Sequence, residues 1–209
     1  MQGFKFIDVK QHSREWESWR RRGLDKSDMA ALMECSPFDN DTLSELIEEK
    51  VTGIPRKEET FAMRQGKSKE YDARRLFVDQ TGHDDLRPVC LESLQHPWQR
   101  CSLDGFAFRL GGGHIIAEMH YARKPWHEMA IKGLIPPHYR WELNHICLVA
   151  NVSRVFYVSY NDSRPFADHK MAVVRFNAQA DELAALLEKE KAVSAEIERR
   201  IRERRKVAG

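Results

Sequence analysis

The spacing of apolar residues in this chain changes character at Gly82. Upstream they recur every three or four residues, the period of a helix face, and downstream they fall into short β-branched and aromatic runs. A chain that switches period in this way must lay helices on a sheet, because each element has one face to bury. Ala73, Leu76 and Phe77 set the stripe of a long helix in "FAMRQGKSKEYDARRLFVDQTG", and Gly82 supplies its stop. "RPVCLES", "GFAFRL" and "HIIAEMHYA" then read as a meander, with "GGG" as the turn between the last two.

The flanking elements follow from caps and breakers. Ser13 is placed to cap a short amphipathic helix carrying Trp16 and Trp19, whose bulk suits core packing. Gly23 breaks that helix, Ser27 is placed to cap "DMAALMEC", and "SPFDND" leads through Asp41 into "TLSELIEEK". "VTGIPRKEET" reads as a loop. Beyond the meander, "HYRWELNHICLVAN" is helical, "RVFYVSY" and "MAVVRF" are strands, and a last helix covers about 178–206. The expected fold is α/β (α+β): a central mixed β-sheet flanked by helices, with a long C-terminal helix. One domain over 1–209 is expected, its core at about 13–176, and an apolar fraction of 42% is enough to fill it.

Composition excludes several classes. No apolar run reaches the ~18 residues of a membrane span, and the N-terminus has no apolar secretory stretch, so a cytoplasmic protein without membrane contact is expected. Cys35, Cys90, Cys101 and Cys147 are too dispersed for a zinc site and read as buried free thiols. The net charge of +2 balances 34 basic against 32 acidic residues, so any binding surface must come from clusters such as "RRRGLDK" and "ERRIRERRK". His114, His127 and His145 read as surface or satisfied core histidines.

The chemistry concentrates in "RCSLDGFAFRLGGGHIIAEMH". If the two runs pair across the glycine turn, Asp104 and Glu118 lie at the same end of adjacent strands, within reach of one hard cation. Mg²⁺ keeps several waters, so two carboxylates and a main-chain carbonyl are enough to hold it, and Glu70 on the preceding helix can complete the shell. Such a cation polarises a phosphodiester and activates water. His120, two residues beyond Glu118, points to the same face. The bland alternative is a common Asp-Gly turn beside a salt-bridged strand glutamate.

The surrounding residues carry a resemblance. "EWESWRRRGLDKSD", "SPF", "MRQGKSKEYDARRLF", "CSLDGF", "AEMH" and "HYRWELNHICLV", in this order, resemble the phage lambda exonuclease family, the YqaJ-like viral recombinases of the PD-(D/E)XK nuclease superfamily. The resemblance spans about Trp16 to Tyr160. It implies that Glu70, Asp104 and Glu118 are catalytic, with Asp104, Glu118 and the Met119 carbonyl holding Mg²⁺, for which Mn²⁺ can substitute. Arg20, Ser27 and Ser102 match a group that holds a 5′ phosphate, and Arg123 or Lys124 lies near the family's other phosphate-binding arginine. Asn144 keeps an amide of the family's helix motif and is counted with the catalytic residues in contact with the active site, whereas Glu142 changes its charge.

His120 stands where the family has lysine. Imidazole can act as a base near neutral pH; alternatively, cleavage has been lost while DNA binding is kept, or the lysine role has moved to Lys124. The resemblance further implies a 5′-to-3′ double-stranded DNA exonuclease that leaves 3′ single strands for phage-type recombination. With it come a trimeric ring, a single-strand annealing partner and a phage or prophage protein in a bacterial host. The rivals are a non-cleaving DNA-end-binding protein and a structure-specific endonuclease on the same fold.

Overall fold

In the computed structural model, which describes residues 3–39, 41–56, 60–111 and 113–208, six strands form one mixed sheet in chain order. They are β1 (Phe4–Ile7), β2 (Arg87–Ser93), β3 (Arg100–Ala107), β4 (Ile115–Tyr121), β5 (Arg154–Tyr160) and β6 (Met171–Asn177). Every neighbouring pair is antiparallel except β4 and β5. A parallel pair requires a crossover, and α5 (Lys124–Ile131) and α6 (Pro137–Ala150) supply it. The remaining helices are α1 (Arg14–Arg21), α2 (Met29–Leu32), α3 (Leu43–Thr52), α4 (Phe61–Thr81) and α7 (Ala180–Ala208).

Helices cover both faces of the sheet. Ala73 and Phe77 of α4 pack on Ala117, Met119 and Val158, while Leu143, Ile146 and Cys147 of α6 pack on Leu91, Ile116 and Tyr157. Alternation along β4 therefore turns Ala117 and Met119 toward α4, and Ile116, Glu118 and His120 toward α6. A third cluster joins Leu186 and Val193 of α7 to Leu32, Leu46 and Ile47. Truncating a side chain as buried as Leu186 to alanine costs about 2–5 kcal/mol.

The expected helices and strands are present, with local differences. Ser13 caps α1, and Trp16 and Trp19 are buried against Cys90. At Gly23 a Cβ would fall 2.4 Å from the Trp98 carbonyl, so that break also serves a close approach. Ser27 does not cap α2. Asp25 caps a 3₁₀ turn at Lys26–Asp28 instead, and the Asp28 carboxylate accepts from the Asp25 N–H in return, a reciprocal box that outcompetes the single hydroxyl. Likewise α3 is capped by Thr42 with Glu45, leaving Asp41 to bind Arg56.

The helix α3 ends at Gly53, whose φ of 75° is the left-handed stop. Residues 57–59 of the expected loop, and Gly112 of the glycine turn, lie outside the described residues. Two elements were not expected. Strand β1 precedes the core start expected at about 13, and α5, with Pro125 in its first turn, is separated from the end of β4 by two residues. All four cysteines are free, and Cys35 is only partly buried. Among the described residues no helix is long and apolar enough to cross a membrane.

Candidate metal and phosphodiester site

The register of β3 on β4 pairs Gly105 with Ala117, so the next step along sets Asp104 across from Glu118. Their carboxylates are buried, at 6% and 1% exposure. Asp104 Oδ2 accepts from the Met119 N–H at 3.0 Å, which fixes its rotamer against β4. From α4, Arg74 Nε donates to the Asp104 carbonyl at 2.6 Å, a contact between residues 30 positions apart that no local pattern signals. Glu70, also on α4, lies 3.6 Å from His12 Nε2. Burial raises the pKa of Asp104 above the usual carboxylate range, Lys26 opposes that rise, and the Glu70 charge adds to it.

A lysine from far away in the sequence reaches this pair. Lys26 Nζ is 3.3 Å from Asp104 Oδ1 and in short contact with Glu118 Oε1. Glu118 Oε2 nevertheless has no hydrogen-bond partner, and neither does the buried His120 Nε2. Glu118, His120 and Glu142 each direct one ligand atom into a space where those atoms lie within 4.8 Å of one another. Two converging buried acceptors without a donor, Glu118 Oε2 and His120 Nε2, beside the Glu142 carboxylate are what a divalent cation satisfies, so the residues present fit one.

Glu142 occupies this side of α6, with His120 Nε2 3.9 Å from its Oε2. Burial pushes the Glu142 carboxyl up to about 8, against the pull of Lys26. Asn144, two residues on, is turned elsewhere, and its Nδ2 donates to Glu182 of α7 at 3.1 Å. The helix rotation thus brings Glu142 rather than Asn144 to the cation cluster. His120 lies against Tyr139 with ring centroids 3.9 Å apart and the planes tilted by 33°. Burial, the Lys26 charge and His138 hold its pKa well below the ordinary histidine value. The imidazole is therefore neutral and a weak base.

The residues matched to a phosphate group fall into two places. Arg20, Ser27 and Ser102 converge on Asp25: Arg20 Nε lies 2.8 Å from Asp25 Oδ2, its Nη2 reaches Ser27 Oγ, and the Ser102 N–H donates to Asp25 Oδ1 at 3.4 Å. Trp16 Nε1 donates to Ser102 Oγ at 2.7 Å, and Arg20 lies over the Trp16 ring. Arg123 is instead exposed at the start of α5, its guanidinium between the rings of Phe38 and Trp126. Lys124 is exposed beside it, its Nζ 3.9 Å from Glu128 Oε1.

His114, His127 and His145 all find hydrogen-bond partners within the protein. His127 and His145 are fully buried with both ring nitrogens hydrogen-bonded, and His114 stacks on Phe108. At the C-terminal helix the basic residues pair along their own face, Arg199 and Arg200 with Glu196 and Arg202 with Glu198.

Among solved structures, the fold matches the alkaline exonuclease LHK-Exo from Laribacter hongkongensis, with a TM-score of 0.72 at 23% identity over 94% of this chain and 98% of that one. LHK-Exo in complex with dAMP matches with a TM-score of 0.75 at 22% identity, over 94% and 98%. A phage-related exonuclease from Haemophilus somnus matches with a TM-score of 0.62 at 11% identity, over 90% and 98%. Among curated proteins no match was found. The fold is that of the alkaline exonucleases. Residues 15–153 match the model of the YqaJ-like viral recombinase domain, and the chain belongs to that family.

Proposed function

We propose that the chain is a Mg²⁺-dependent, 5′-to-3′ exonuclease of double-stranded DNA that leaves 3′ single strands for phage-type recombination, with Mn²⁺ able to substitute. The observation that carries this reading is the pairing of Asp104 with Glu118 across β3 and β4, both buried, with one Glu118 oxygen unpartnered. Asp104, Glu118 and the Met119 carbonyl hold the cation, and Glu70, Glu142 and His120 border it. A divalent cation bound there polarises the scissile phosphate, lowers the pKa of a water and offsets charge on the leaving oxygen.

The chain's own residues supply the rest. Arg74 keeps the Asp104 main chain in place, and burial of the acids excludes competing water. Arg20 with Ser27 and Ser102 receives the 5′ phosphate, a fork and two hydroxyls suited to its acceptor oxygens. Arg123 and Lys124, exposed at the start of α5, lie along the approaching duplex. Asn144 braces α6 on α7 through Glu182. A single nuclease domain, a homotrimer around DNA, a single-strand annealing partner and action in the cytoplasm of a bacterial host complete this reading, each as the resemblance in sequence implies.

A second reading, DNA-end binding without cleavage, is favoured by one observation. His120 is a neutral imidazole where the resemblance has a cation. Linear duplex labelled on either strand, beside closed circular duplex, separates the readings in Mg²⁺ and Mn²⁺. Loss of the 5′-ended strand with intact circles is the expected result. Cut circles would point to an endonuclease, and bound but undigested ends to the second reading.

A further inference from the structure

The position two residues past Glu118 holds no cation, yet the acid pair has one. Lys26 Nζ lies 3.3 Å from Asp104 Oδ1 and touches Glu118 Oε1, although these residues are 78 and 92 positions away in the chain. Among the described residues no other cation comes within 4.0 Å of either acid. The lysine side chain is only 12% exposed. Burying an ammonium is costly unless it is paired, so this placement is specific to the two acids.

The backbone that carries Lys26 is anchored on both sides. Asp25 caps its turn and is gripped by Arg20 at 2.8 Å, while Asp28, 1% exposed, is held by Lys50 at 2.7 Å and Arg56 at 3.1 Å. A lysine on a fixed turn delivers its charge to one place, which is the condition for acting in a transition state. Four methylenes leave the ammonium free to swing from the acids toward a phosphate while the turn stays still.

We propose that Lys26 is the catalytic lysine of this chain, supplied from the 3₁₀ turn between α1 and α2 instead of from β4. The inference rests on the nuclease reading. In this role the ammonium donates an N–H to the water whose oxygen forms the new bond to phosphorus, and faces a non-bridging phosphate oxygen. The P–O3′ bond breaks, the water proton passes to solvent, and O3′ takes a proton from solvent. Lys26 stays protonated throughout.

The test compares the unmodified protein with Lys26→Gln, His120→Lys and the Lys26→Gln/His120→Lys double variant. It reads single-turnover release of nucleotides in saturating Mn²⁺, calorimetric titration with Mn²⁺, and binding of duplex ends in Ca²⁺. Lys26→Gln should slow cleavage by about 10²–10⁴-fold, the range for a positioned proton-handling or water-orienting group, without weakening Mn²⁺ or end binding. The double variant should regain much of the lost rate. If Lys26→Gln loses its thermal transition, Lys26→Arg carries the test, because it keeps the charge while its planar fork replaces a point donor. Slower cleavage is then expected, and an unmodified rate overturns the proposal. Cleavage by Lys26→Gln at the unmodified rate overturns it as well. So does faster cleavage with tighter Mn²⁺ binding, which would make Lys26 a competitor of the cation. An unmodified protein that releases nothing, with cleavage appearing in His120→Lys, overturns the nuclease reading together with this one.

Discussion

Arg74 Nε donates to the main-chain carbonyl of Asp104 at 2.6 Å, so a helix side chain holds the strand residue that carries the first acid of the site. A hydrogen bond from a charged donor to a partly buried carbonyl contributes about 1.5–3 kcal/mol. Arg74→Ala is expected to lower stability by that amount in urea unfolding, and to reduce cleavage further because the Asp104 carboxylate loses its fixed position.

The cluster of Arg20, Ser27 and Ser102 should read the chemistry of the DNA end. In Arg20→Ala both ends are expected to be cut more slowly, because Arg20 also holds the Asp25 turn, and the preference for a 5′ phosphate over a 5′ hydroxyl is expected to shrink. Competition between the two ends in one digestion checks this. A preference that survives would move the phosphate site elsewhere, with the exposed Arg123 as the next residue to substitute.

Asp28 anchors the turn that bears Lys26. Burial would raise its carboxyl, but Lys50, Arg56 and Arg20 hold it far below the usual value. Its folded pKa is depressed, so its stabilisation is present above the unfolded value near 3.8 and is lost as pH falls through the folded one. Asp28→Asn is expected to cost about 3–5 kcal/mol at neutral pH, because Lys50 is left buried without its carboxylate partner, while Arg56 keeps Asp41 and Glu49. The deficit should shrink in acid, as unfolding curves from pH 7 downward would show.

His145 of α6 and Glu190 of α7, both fully buried, form an ion pair with the opposite sign of pH dependence. Burial alone would depress the imidazole, but the Glu190 carboxylate and the Arg100 carbonyl raise its pKa above 6.5. Stabilisation is therefore complete below about pH 6.5 and declines as pH rises through the folded value. The unmodified protein should lose stability across that window. His145→Gln should be less stable at pH 6 and should lose less on going to pH 9, as thermal or urea midpoints would show.

Much of this was legible in the sequence where the signal was local. The β-branched and aromatic runs on either side of the glycines marked β3 and β4 as neighbours, whose register sets Asp104 across from Glu118, and the stripe of Ala73 and Phe77 set α4 against the sheet. Strand β1 escaped because four residues carry little alternation, and its strand form depends on pairing with β2. Ser27 was a misleading cap because Asp25 and Asp28 form a reciprocal pair that no single hydroxyl matches. The choice between Glu142 and Asn144 depends on how α6 is rotated, which packing on α7 decides. Lys26 could not be read at all: nothing in a local pattern connects a turn residue to acids 78 and 92 positions away.

The most direct measurement is the release of mononucleotides from 5′-phosphorylated linear duplex by the unmodified protein and by Asp104→Asn, each in Mg²⁺, in Mn²⁺ and in excess chelator. The account predicts release by the unmodified protein that chelator abolishes, with Asp104→Asn inactive while still folded. Release that persists in Asp104→Asn, or that ignores the chelator, would contradict a cation held between Asp104 and Glu118.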